Sequence, residues 1–88
     1  MIETQMTQHI PAAQKVYHVL HDRILKLEMK PGQSVSEKEI SSQIGVSRQP
    51  VREAFMRLSQ EGLLNIRPQI GTFVTRLNVA QINEAAFA

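Results

Sequence analysis

Three side chains with paired hydrogen-bonding groups occur close together between residues 48 and 52. Arg48 and Arg52 are four residues apart, and Gln49 lies between them. Arginine presents a planar fork of donors that matches O6 and N7 of guanine, and glutamine can form the corresponding pair of bonds to N6 and N7 of adenine. In a helix these side chains lie on one side. The segment therefore predicts a surface that reads base edges in the major groove of DNA.

A helix over residues 47–61 is predicted to carry these side chains. Its apolar residues recur at spacings of three, four and seven, which predicts one buried face made of Val51, Ala54, Phe55 and Leu58. Ser47 stands where an N-cap is needed, and Gly62 follows the last turn. Arg48, Gln49 and Arg52 then lie on the outward side, where only Met56 interrupts the polar face.

The preceding segment predicts a second, shorter helix that packs against the first. Ser36 and Glu39 have the spacing of a capping box, and Ile40 and Ile44 form an apolar stripe. Gly45 follows where a left-handed turn is expected, because a residue without Cβ adopts that turn without strain. Two short helices joined by a tight turn are typical of a helix-turn-helix.

The flanking segments complete the predicted fold. The pattern from Pro11 to Glu28 predicts a first helix with Tyr17, Leu20, Ile24 and Leu27 on its inward face, and Lys30-Pro31-Gly32 ends it. Residues 33–35 are long enough only for a very short strand.

A hairpin is predicted over residues 63–76, with strands at 63–67 and 72–76. Arg67 and Arg76 lie near its ends, and Gln69 and Gly71 lie at its tip, where backbone amides can approach a phosphate. The fold class is therefore α+β, mainly α, with three helices and a small antiparallel sheet: a winged helix-turn-helix whose hairpin is the wing.

Length and composition narrow the classes of function. An 88-residue chain forms one small domain, with too little core for an enclosed catalytic cavity, so an enzyme is not expected. Residues 38–76 carry six basic residues against three acidic ones, an excess expected where a protein meets phosphate. The chain has no cysteine, no secretory signal and no apolar run long enough to span a bilayer, and we expect a cytoplasmic protein without a metal or cofactor in this segment.

The sequence resembles the DNA-binding domain of the GntR family of bacterial regulators over residues 16–77. Five short pieces carry this resemblance in order: Pro31-Gly32, Ser36-Glu37, Val46-Ser47-Arg48, Val51-Arg52-Glu53-Ala54 and Gly71-Thr72. The resemblance implies a repressor that binds operator DNA, usually as a dimer on a palindrome. It also implies that Ser47, Arg48, Arg52 and Gly71 contact the DNA, and Lys38 matches a position that is often basic and near DNA.

The predicted domain organisation and contact set combine both kinds of argument. Residues 1–10 are expected to be a flexible arm and residues 11–77 the winged helix-turn-helix. Residues 78–88 resemble the opening of the effector-binding, dimerising C-terminal domain of the FCD, fatty-acid-regulator-type branch, which implies a homodimer and a small-molecule effector for the longer protein. The residues predicted to contact DNA are Ser36, Lys38, Ser47, Arg48, Gln49, Arg52, Arg67, Gln69, Gly71 and Thr72.

The same residues are compatible with other classes of function. A winged helix can also serve as a protein-interaction module or bind RNA, although an interaction module is expected to expose a larger apolar patch and an RNA-binding domain more aromatic residues. A metal site is not expected at His18, His21 and Asp22, because no second cluster of ligands completes a four-ligand set. Glu53 and Arg57 have the spacing of a helical ion pair, so a structural role is expected for Glu53 and not a catalytic one. Nucleophilic catalysis by Ser47 is not expected, because no histidine that could act as its base lies nearby.

Overall fold

The computed structural model describes residues 11–76. The elements in chain order are α1 (Ala12–Leu25), β1 (Ser34–Val35), α2 (Glu37–Ile44), α3 (Arg48–Gln60), β2 (Leu64–Arg67) and β3 (Gly71–Val74). Three helices and a three-stranded antiparallel sheet confirm the predicted winged helix-turn-helix. The predicted arm over residues 1–10 and the tail over residues 78–88 lie outside the described residues, as does residue 77.

Helix α1 ends earlier than its apolar pattern predicts. The helix stops at Leu25, and Leu27 has a φ of 62° and is 63% exposed, so the prediction that Leu27 lies on the inward face is wrong. The amides of Glu28 and Met29 both donate to the carbonyl of Arg23, which turns the chain back on the helix end. This turn brings Met29, at 7% exposure, into the core in place of Leu27.

Helix α2 begins and ends as its sequence predicts. The Ser36 hydroxyl oxygen accepts a hydrogen bond from the Glu39 amide at 3.2 Å, which is the half of the predicted capping box found among the described hydrogen bonds. Gly45 ends the helix with a φ of 83°, and its amide donates to the Ser41 carbonyl. The Ser41 hydroxyl donates to the Val46 carbonyl, which fixes the turn between α2 and α3.

Helix α3 begins at Arg48, one residue inside the predicted range, and Ser47 occupies its N-cap position without a side-chain cap bond. The prediction that the Ser47 side chain caps the helix is therefore wrong. A cap side chain bonds to the amide two or three residues on, and Pro50, the third residue, has no N–H, so only the Gln49 amide could serve and the side chain does not bond to it. The predicted inward face of α3 is confirmed, and all four of its residues are buried: Val51, Ala54, Phe55 and Leu58.

The sheet has the strand order β1-β3-β2, with both pairs antiparallel. β2 pairs with β3 from Leu64 opposite Val74 to Arg67 opposite Gly71, which confirms the predicted hairpin with slightly shorter strands. β1 pairs Ser34 with Phe73, so the short strand predicted before α2 finds the sheet it needs. The hairpin is thereby anchored to the helical core at its base.

A side-chain cluster ties α1 to the end of α3. The Tyr17 hydroxyl donates to Glu61 at 2.6 Å, and the Arg57 guanidinium lies 3.8 Å from the centre of the Tyr17 ring. Glu61 holds the phenolic proton and thereby raises the pKa of Tyr17, an effect that burial of the ring increases. Arg57 pairs with Glu61 at 3.6 Å and Glu53 accepts from Gln49, so the predicted ion pair between Glu53 and Arg57 does not form.

Candidate nucleic-acid interface

The outward face of α3 exposes the side chains that the sequence singles out for base contacts. Arg48, Gln49 and Arg52 are all exposed, and Met56 is 57% exposed on the same side. Because the opposite face of α3 is fully packed, these side chains cannot turn inward without breaking the core. The structure thus presents two arginines, an amide and one apolar group on a single helical surface.

Both arginines of this face contact one carboxylate on α2. The Nε atom of Arg52 donates to the two carboxylate oxygens of Glu37, at 3.3 Å each. The Nε atom of Arg48 lies 3.9 Å from the nearer oxygen of the same group. Glu37 therefore holds the two guanidinium groups side by side.

Glu37 contacts only one side of the Arg52 guanidinium group, and this determines which N–H donors of the group remain available to a ligand. Since the Arg52 hydrogen bonds to Glu37 come from Nε, the two terminal amino groups form the end of the fork that has no hydrogen-bond partner among residues 11–76. That end is the part of arginine that bonds to O6 and N7 of guanine. The carboxylate thus contacts Arg52 without occupying its terminal amino groups.

Glu37, the carboxylate that contacts both arginines, was not among the residues predicted to contact DNA. Its position directly after the Ser36 cap indicated only a helix start. The contact with Arg52 spans 15 residues and depends on how α2 crosses α3, which no local periodicity encodes. The available signal was charge: Glu37 is an acidic residue at the start of the helix that precedes two arginines predicted to face DNA.

Three further predicted contact residues lie at helix starts, Ser47 at that of α3 and Ser36 and Lys38 at that of α2. Ser47 is exposed, and its hydroxyl makes no cap hydrogen bond. Lys38 is exposed on α2 and has no ion-pair partner among the described residues. Ser36 is half-buried, and its hydroxyl oxygen already accepts from the Glu39 amide, although the hydroxyl proton remains available to a second group.

The remaining predicted contact residues lie on the hairpin. Arg67 and Gln69 are exposed, and Gln69 has a φ of 67° in the turn. Gly71 has a φ of 144°, a conformation that favours glycine, and it pairs with Arg67 at the end of the ladder. Thr72 is half-buried on β3 and lies nearer the helices than the tip does.

A groove joins the outward face of α3 to the hairpin. It has a volume of about 390 Å³ and is lined by Glu37, Gln49, Arg52, Glu53, Phe55, Met56, Ile66 and Thr72. The structure therefore brings together Gln49 and Arg52 of α3 with Thr72 of the wing. Arg67, Gln69 and Gly71 lie at the tip of the hairpin, one ladder pair beyond Ile66 and Thr72, and do not line this groove.

The histidines of α1 belong to a different surface. The rings of His18 and His21 lie 5.3 and 5.4 Å from the Tyr17 ring, centre to centre. Asp22 pairs with Lys26 at 3.0 Å and raises the pKa of that lysine. Between residues 11 and 76, no three acidic or histidine side chains are grouped so that they could hold a metal ion.

Taken together, the three-helix core, the short sheet and an exposed basic recognition helix define a winged helix-turn-helix of the DNA-binding class. Residues 12–74 match the family of bacterial regulatory proteins known as the gntR family. The chain therefore belongs to the gntR family.

Individual relatives agree with this assignment. The HTH-type transcriptional repressor RspR of Escherichia coli strain K12 is 43% identical over 86 residues, which are 98% of this chain and 38% of that protein. An uncharacterized HTH-type transcriptional regulator of Streptomyces ambofaciens is 44% identical over 72 residues, covering 82% of this chain and 30% of the relative. The chain thus spans well under half the length of these relatives.

Solved structures show the same architecture. A GntR regulator from Rhodococcus sp. RHA1 superposes with a TM-score of 0.75 and 32% identity, over 85% of this chain and 36% of that one. The N-terminal domain of AraR, solved in complex with mutant ORR3, superposes with a TM-score of 0.70 and 32% identity, over 77% of this chain and 99% of that one.

No helix in the described part of the chain has both the length and the apolar character that crossing a membrane requires.

Proposed function

We propose that this chain is the operator-binding part of a bacterial transcriptional repressor. In this proposal α3 enters the major groove of double-stranded DNA and the 63–76 hairpin lies alongside it as a wing. Gln49 and the terminal amino groups of Arg48 and Arg52 contact base edges. The function is sequence-specific binding, without catalysis and without a cofactor in this segment.

One observation carries the proposal: the exposed fork of Arg52 is oriented by Glu37 on a helix whose other face is buried. An arginine on a merely solvated helix gains little from such a contact, because exposed ion pairs contribute about 0.2–1 kcal/mol. An arginine that reads a base gains from it, since a fixed guanidinium loses less conformational freedom on binding. The shared carboxylate thus favours a reading role over a solubilising one.

The other predicted residues are assigned to the DNA backbone. Lys38 and Arg67 supply positive charge to phosphates, and the Ser36 and Ser47 hydroxyls supply hydrogen bonds. At the wing, Gln69, Gly71 and Thr72 complete the contacts, where the glycine permits close approach of the backbone. These contacts set register and affinity, whereas α3 sets sequence preference.

The assembly and the cellular setting are also proposals. Repression is supported by the likeness to RspR, which is described as a repressor. A homodimer on a palindromic operator, controlled by a small-molecule effector bound to an FCD-type C-terminal domain, is supported by the sequence resemblance and by the greater length of the relatives. We place the protein in the bacterial cytoplasm, because its proposed ligand, DNA, lies there.

Selection of bound sequences from a pool of random duplex DNA tests this function. We expect one shared motif to be enriched by the wild-type chain, the same motif with a Lys15→Ala variant, and none with an Arg48→Ala/Arg52→Ala double variant. Lys15 is an exposed cation of α1, so it controls for charge alone. No enrichment by the wild type, or equal binding to matched duplex RNA, would contradict specific DNA binding and favour an interaction module or an RNA-binding domain.

A further inference from the structure

The groove between α3 and the wing has apolar walls in the middle of an otherwise polar surface. Met56 is 57% exposed and Ile66 is 36% exposed along it, while Phe55 at its base is 2% exposed. Exposed apolar area of this kind costs free energy in water that contact with an apolar group recovers. The groove therefore favours a ligand that offers carbon atoms as well as polar groups.

Met56 lies within the set of side chains proposed to read bases. It follows Arg52 by four residues and Gln49 by seven, so the three side chains form one row on the outward face of α3. Arg52 and Gln49 are hydrogen-bonding groups, whereas the Met56 thioether offers only a weak acceptor. A ligand that satisfies the whole row must present a polar edge followed by an apolar group.

Duplex DNA presents such an apolar group in its major groove only at thymine. The C5 methyl of thymine projects into the major groove beside the polar edges of the base pairs, and adenine, guanine and cytosine have no equivalent. Methionine suits such a contact because its unbranched, polarizable side chain adapts to the surface that it meets.

We infer that Met56, supported by Ile66, binds the C5 methyl group of a thymine next to the base that Arg52 contacts, and so acts as a specificity-determining residue. This inference rests on the proposed DNA-binding function and adds one base to its recognition code. Ile66 contributes a fixed wall, because its strand position is set by pairing with Thr72 in the sheet. The thymine methyl is then enclosed between the helix and the wing.

Removing the methyl from the DNA and its partner from the protein provides the test. Each thymine of the selected duplex is replaced in turn by deoxyuridine, which lacks only the C5 methyl, and the Kd is measured for wild type, Met56→Ala and Met56→Leu. We expect one position at which deoxyuridine weakens wild-type binding about fourfold, the factor that corresponds to burial of one methyl-sized group. At that position Met56→Ala is insensitive to the replacement, and Met56→Leu keeps most of the sensitivity.

The control for Met56 is a second exposed apolar side chain, which lies on α1. Leu25→Ala removes an apolar side chain that is 54% exposed on α1, and it should leave the deoxyuridine effect at the wild-type value. A selected motif with no thymine sensitive to the replacement, or a sensitivity that persists in Met56→Ala, would overturn the inference while leaving DNA binding intact. If Met56→Ala weakens binding but no thymine is sensitive, Met56 contacts a deoxyribose and the methyl assignment fails. Absence of any selected motif would instead overturn the proposed function itself.

Discussion

The two faces of α3 differ in what surrounds them and therefore in what a substitution does. The inward face is closed: Val51, Ala54, Phe55 and Leu58 are at most 2% exposed. The outward face is open, and its arginines touch the protein chiefly through Glu37. One helix thus carries the centre of the fold on one side and the proposed recognition surface on the other.

This difference shows why a small domain can change its ligand without losing its fold. The closed face is constrained by packing, because a cavity in a dense core is costly. The open face is constrained by its proposed ligand and by exposed polar contacts of modest strength, which are the ion pairs of Arg48 and Arg52 with Glu37 and the Gln49–Glu53 hydrogen bond. Substitutions on the closed face should therefore alter stability, and those on the open face should alter binding.

The largest expected effect is on the closed face. Phe55→Ala should lower the free energy of unfolding by about 3–5 kcal/mol, because a cavity opens beneath three helices. Thermal and urea melts measure this change. Met56→Ala, at the next residue on the open face, is the matched control and should stay within about 0.5 kcal/mol of wild type. Equal destabilisation by both variants would contradict the contrast between the faces.

The next largest effect is expected on DNA binding, when the arginines of the open face are replaced. Arg52→Ala and Arg48→Ala should each weaken binding to the selected duplex by about 1–3 kcal/mol, because each loses a base contact. Melting temperatures should remain at the wild-type value. Binding titrations on the selected duplex and on a scrambled duplex measure the change. A loss of the same size on both duplexes would show that the arginines contact only phosphates.

A smaller effect is expected at Glu37. Glu37→Gln should reduce discrimination between the selected and scrambled duplexes by about 0.2–1 kcal/mol, since it removes an exposed ion pair that orients the arginines. The released guanidinium can then meet a phosphate, so the salt dependence of non-specific binding should steepen by about one in slope. Glu39→Gln makes the same charge change on α2 and should leave discrimination unchanged. If both variants behave alike, Glu37 acts through net charge alone.

The smallest effect on sequence preference is expected at Lys38. Lys38→Ala should weaken binding to both duplexes equally and reduce the magnitude of the salt slope by about one, as expected for one lost phosphate contact. Lys30→Ala, which removes an exposed cation after α1, is the control and should leave the slope at the wild-type value. A salt slope unaffected by Lys38→Ala would remove this residue from the interface.

The sequence was sufficient to predict the helices and strands and the exposed side chains on the outward face of α3, because both follow from the local spacing of residue types. Apolar residues at helical intervals defined the buried face through Phe55, and the same interval placed Arg52 opposite. Gly45 marked the left-handed turn correctly, since its φ of 83° suits a residue without Cβ. These inferences needed no knowledge of how the helices cross.

The predictions from sequence were wrong or incomplete at residues where a second structural constraint overrides the local sequence pattern. Leu27 continues the apolar spacing of α1, yet it takes a left-handed conformation that its sequence does not mark with a glycine. Ser47 has the residue type of a cap, but Pro50 removes one of the two amides that a cap could use, and no side-chain cap bond forms. Glu37 was missed because its partners become neighbours only after α2 and α3 pack together.

We propose that the open face of α3 reads DNA, and its closed face makes the fold. NMR titration of the chain with its selected duplex locates the binding surface residue by residue, because one amide or side-chain signal is followed for each residue. We expect the largest shifts on residues 47–56 and on the hairpin between Arg67 and Thr72, with little change along the exposed side of α1. Shifts concentrated around the exposed Leu25 and Leu27, with α3 unaffected, would contradict this proposal.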